Sequence, residues 1–102
     1  MSLPKSYIQF GDRYPDLLRD FENIGVKCLE AGPLDLKARR LVKLGMAIAT
    51  SSRGGIKSQT RKALEDGFSQ DEIRHAAVLA LPTIGFPSMI AAFEWIEETF
   101  TE

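Results

Sequence analysis

Glycine or proline falls between successive segments of about 12–17 residues, and nearly every segment spaces its apolar residues by three and four rather than two. A strand needs alternation, so this punctuation predicts an all-α chain of about five helices packed as one domain over residues 14–102. The first helix is expected from Pro15 to about Glu30. Proline is pre-organised for a first turn, Asp16 suits the positive end of the helix dipole, and Gly32-Pro33 stops the run. Its buried stripe is read as Leu17, Phe21, Ile24 and Cys28. A second helix follows the N-cap Asp35 and carries Leu41, Leu44 and Ile48 to about Thr50, after which Ser51 to Gly55 interrupts or re-caps the chain. The third, about Gly55 to Glu65, has only Ile56, Ala63 and Leu64 as apolar residues, too few for a full core face, and Gly67 closes it. Ser69 and Glu72 form a capping box opening a fourth helix, expected to end before Pro82. Beyond Gly85 and Pro87 a fifth presents Met89, Phe93, Ile96 and Phe100, a core or subunit-contact stripe. Met1 to Arg13 has no period and reads as an arm.

Several function classes drop out on composition. The 102 residues include one cysteine, so an internal disulfide, a C-x-x-C redox pair and a cysteine zinc cluster are excluded. No apolar run reaches the roughly 18 residues of a membrane span, and residues 1–10 lack the apolar core of a signal peptide, so the expected address is the cytoplasm, away from membranes. A chain this short buries only about 60–70% of its unfolded surface, and self-association would help it. The net charge of −1 conceals an uneven distribution. Lys37, Arg39, Arg40, Lys43, Arg53, Lys57, Arg61 and Lys62 all lie between Leu36 and Leu64, where there is no acid, so that segment is +8 and the rest −9. Arg53, Lys57 and Arg61 recur every four residues and share a helix face if the helix reaches back to Arg53. Pairing with acidic helices of the same chain or a neighbouring subunit is the first reading of that face, and a small anionic ligand the second. Nucleic acid comes last, because no groove-reading or base-stacking motif is present.

Three stretches carry a family likeness. Leu34-Asp35-Leu36-Lys37-Ala38-Arg39-Arg40-Leu41-Val42, then Ala63 through Ile73 (A-L-E-D-G-F-S-Q-D-E-I), then Gly85-Phe86-Pro87 resemble, in order and spacing, the carboxymuconolactone decarboxylase and alkylhydroperoxidase D-like family from about Pro15 onward. The resemblance implies a compact helical protomer assembling into trimers or hexamers. In the peroxidase-type members it implies C-x-x-C-x-x-x-H at the start of the third helix, with a Glu twelve residues before the first Cys. Registered on Ala63-Leu64 and Gly67, those positions here are Ser52, Gly55, Gln59 and Arg40. Peroxide reduction needs a thiolate nucleophile, a resolving thiol and a base, and none of these side chains supplies one. The lactone decarboxylase branch keeps the His and has a Tyr two residues before Gly-x-Pro; here they are Gln59 and Thr83.

The remaining candidates have plain structural readings. Cys28 reads as a core filler, His75 as a surface or subunit-contact residue, Trp95 as a core or interface aromatic, and Gly54-Gly55 as a helix breaker rather than a phosphate cradle. The reading is therefore an all-α oligomer without cofactor or metal, in which Arg40, Ser52, Gln59 and Arg53 form a donor-rich site for a small acid or lactone. Decarboxylation or isomerisation there would use Arg40 to stabilise developing negative charge. A catalytically inactive binding or structural oligomer is the alternative, and a family-type alkylhydroperoxidase is disfavoured by Ser52 and Gly55.

Overall fold

The computed structural model describes residues 3–102. Among them are six helices and no strand: α1 (Lys5–Arg13), α2 (Pro15–Glu30), α3 (Leu36–Ala49), α4 (Arg53–Glu65), α5 (Gln70–Ile84) and α6 (Phe86–Phe100). They fall into two compact units, one ending at Leu34 and the other spanning Asp35–Glu102.

The first unit departs most from expectation. The aperiodic arm is helical over Lys5–Arg13, packing on α2 and tied to it by the Tyr7 hydroxyl, which donates to Glu22 at 2.9 Å. That carboxylate partner raises the Tyr7 pKa. The stripe read as buried on α2 is open, with Leu17, Phe21 and Ile24 exposed by 58, 67 and 60%, and Cys28 is exposed rather than a core filler. A 3.6-residue apolar period shows that a helix has a face to bury and does not say in which molecule the cover lies.

The second unit carries the core. Asp35 caps α3 by accepting from the Ala38 N–H at 2.8 Å, and Ser69 and Glu72 close the expected capping box on α5. The backbone and hydroxyl donors of Ser69 hold the Glu72 carboxylate below its ordinary pKa. Leu44, Ile48, Ile56, Ile73, Ala77, Ala92 and Ile96 form the buried centre, with Phe93, Trp95 and Phe100 against it, so the α6 stripe is core. The helix with fewest apolar residues is the most enclosed: α4 packs against α3, α5 and α6, burying Gln59, Thr60 and Arg61 beside Ile56 and Ala63. Ser52 caps it, so Gly54 and Gly55 sit within its first turn rather than breaking it. Helix α5 also runs through Pro82 to Ile84. The ring removes a donor toward Val78, but both residues are exposed, and water can satisfy that carbonyl. Gly85, at φ +86°, makes the sharp turn into α6. No described helix is long and apolar enough to cross a membrane.

Candidate functional site

The polar residues that converge do so between α3 and α4, and a helix ending puts them there. α4 stops in a Schellman motif: Gly67, at φ +94°, donates to Leu64 and Phe68 donates to Ala63 at 3.0 Å. Asp66 is thereby fixed as C-cap, where the negative end of the helix dipole makes a carboxylate unwelcome. Arg40, projecting from α3, compensates: its Nε donates to Asp66 Oδ2 and its Nη1 to Gln59 Oε1, both at 2.7 Å. The arginine is 8% exposed and the glutamine 9%. Nη2 makes no hydrogen bond to another described residue.

Arg40 and Gln59, two of the positions singled out from sequence, therefore meet. Ser52 does not join them. Its hydroxyl is spent on the N-cap, accepting from the Gly55 N–H at 3.1 Å, and it lies seven residues, about 10 Å of helix rise, before Gln59. Gly55 is open on no useful side, because a β-carbon there would stand 2.7 Å from Ser52 Oγ. Arg53 is turned to α6, 3.7 Å from Glu98, while Gln59 faces α3. The rest of its stripe follows it: Lys57 pairs with Glu98 at 3.0 Å and Glu102 at 3.2 Å, and Arg61 with Glu102 at 3.3 Å. Pairing with Glu98 of α6 and with Glu102 just beyond it is thus how this face is used.

Beside Arg40 the balance stays positive. Burial, followed by the charges of Arg40 and Lys43, pulls the Lys62 pKa down, with only Glu65 opposing. Asp66 escaped the sequence reading. An acid immediately before a helix-closing glycine was the available signal, because that position asks for a cation nearby. No group of three or more His, Cys, Asp or Glu that could hold a metal occurs among the described residues. His75 is exposed on α5 and lines, with Glu72, a groove of about 350 Å³ between α3 and α5.

The profile of the Carboxymuconolactone decarboxylase family matches residues 15–98. The chain belongs to this family. An uncharacterized protein of Haemophilus influenzae (strain ATCC 51907 / DSM 11121 / KW20 / Rd) is 30% identical over 59 residues, covering 58% of this chain. The chain spans about half the length of that relative, 52% of which is matched. Within the carboxymuconolactone decarboxylase match lie α2 through α6 up to Glu98, so both partners of Arg40 fall inside it.

Proposed function

We propose that this chain is a non-redox, self-associating member of the carboxymuconolactone decarboxylase family that holds a small carboxylic acid or lactone between α3 and α4. The observation that carries the reading is the excess positive charge beside a nearly dry Arg40–Gln59 pair. Asp66 neutralises one guanidinium; Lys43 and Lys62 remain against Glu65, and a carboxylate accepting from Nη2 and the Lys62 ammonium would relieve the surplus repulsion. In a lactone, the same donors would polarise the carbonyl and stabilise an enolate formed by loss of carbon dioxide or by isomerisation. Thiol chemistry has no support: Ser52 is engaged as a cap, Gly55 has no side chain, and Cys28 lies on α2. Self-association is supported by exposed apolar side chains in each unit: Leu17, Phe21 and Ile24 in the first, Val42, Met46 and Leu79 in the second.

A second reading has its own observation. With Asp66 and Gln59 both at 2.7 Å, Arg40 already has the partners of a structural tie, and the protein would be a catalytically inactive oligomer. Calorimetric titration with a panel of lactones and mono- and dicarboxylates separates the two. Lys62→Gln removes a cation that Arg40 repels and does not bond, so it should leave the unliganded melting temperature in place or raise it slightly while weakening a bound acid about tenfold or more, the worth of one charge-assisted hydrogen bond. Equal affinity in wild type and Lys62→Gln leaves the structural reading. Dithiol-dependent turnover of an organic peroxide, lost in Cys28→Ser, would overturn the non-redox part.

A further inference from the structure

Each of the two units leaves one apolar surface open. The first is the groove between α3 and α5. Small residues, Gly45 and Ala49 from α3 with Ala76 and Ala80 from α5, line it together with larger ones such as Ile48 and Leu79. A β-carbon on Gly45 would meet nothing within 4 Å, so the missing side chain leaves real space. The second is the stripe on α2, where Leu17, Phe21 and Ile24 project into solvent with Cys28 one turn on. From Leu17 to Cys28 is eleven residues, about 16 Å of helix. The α5 side of the groove, from Glu72 to Ile84, is twelve residues, about 18 Å, long enough to take that stripe.

We propose that α2 of one copy seats in the α3–α5 groove of a second copy, antiparallel to α5, so that copies exchange their α2 helices. The direction comes from charge. The last turn of α2 carries Lys27 next to Cys28, and Glu72, which its cap keeps ionised, is the acid among the residues lining the groove. An antiparallel helix puts Lys27 opposite Glu72 and places bulky side chains over the glycine and alanines, the ordinary geometry of an amphipathic helix in a groove. A second copy is the occupant that covers stripe and groove together, and each copy gives one helix and receives one. This inference rests on the self-association proposed above and adds which surfaces make the contact.

The lone native thiol supplies the test. His75 is exposed at the end of the groove where Cys28 should arrive. Wild-type protein is mixed with the double variant Cys28→Ser/His75→Cys, allowed to exchange, and oxidised mildly; linked chains are mapped by peptide mass, with native mass followed by sedimentation. The expected result is a reducible two-chain product joining Cys28 of one copy to position 75 of another. In parallel, Gly45→Leu, whose β-carbon has open space and whose longer side chain would occupy the groove, should lower the native mass. In the single variant His75→Cys, a one-chain product with an internal 28–75 link would overturn the exchange, because α2 would then be covering its own groove. No 28–75 link together with an unchanged native mass in Gly45→Leu would overturn this seat while leaving self-association intact. A monomer throughout would remove both.

Discussion

Replacing Arg40 by Met should destabilise the protein by about 3 kcal/mol. The side chains of Arg40 and Asp66 are 9 and 17% exposed, so the substitution strands a carboxylate that water reaches poorly. Removing one partner of a buried ion pair costs about 3–5 kcal/mol; the partial hydration of Asp66 puts this case at the lower end. Gln59 loses its donor too, and Asp66 is left alone at the negative end of α4. For a chain of this size that is a fall in Tm of about 10–20 °C. The double variant Arg40→Met/Asp66→Leu should recover most of the loss, because well-packed apolar residues replace a buried pair at little cost. Urea unfolding at one fixed protomer concentration measures all three proteins, the concentration being held because self-association contributes to apparent stability. A loss below about 1 kcal/mol in Arg40→Met would place this pair with ordinary surface ion pairs and refute the argument.

Two further outcomes follow from other sites. Thr60 is fully buried and its Oγ1 has no hydrogen-bond partner among the described residues, so Thr60→Val, which keeps the branched shape, should raise stability by about 1 kcal/mol in the same unfolding assay; a loss would mean the hydroxyl is satisfied in solution. Glu72 and Glu97 have folded-state pKa values below their ordinary ones, through the Ser69 cap and the Arg74 ion pair, so their stabilisation is present above the unfolded carboxylate pKa and lost as pH falls through the folded values. Stability profiles between about pH 7 and 2 should therefore fall less steeply on the acid side in Glu72→Gln than in wild type, and superimposable slopes would refute the assignment.

What could be read from sequence was mostly local. Asp35 and the Ser69/Glu72 pair name their helix starts because capping is settled within four residues, and Gly67 names a stop for the same reason. Pro82 misled, since whether a proline ends a helix depends on whether the freed carbonyl faces water, and that is set by packing. The role of α4 was hidden more deeply. Three apolar residues suggested a weakly held helix, whereas Gln59, Thr60 and Arg61 are buried beside them by three neighbouring helices. Family register brought Arg40 and Gln59 to one place, but the carboxylate that holds Arg40 comes from a helix terminus 26 residues away in sequence.

The contact between Ser52 and the space over Gly55 also restricts the order in which this chain could change. A Gly→Ala substitution inside a helix ordinarily gains about 1 kcal/mol, and at Gly54, where a β-carbon meets nothing, it should. At Gly55 the new β-carbon would displace the Ser52 hydroxyl from the cap, which costs about as much as the propensity returns. With Ser52 as cap a side chain at position 55 therefore gains nothing, whereas once position 52 has lost its hydroxyl the same change returns the full propensity. Changing position 55 first runs near level, whereas changing position 52 first passes through a step about 1 kcal/mol less stable, so the two residues are coupled and the cap is cheapest to surrender last.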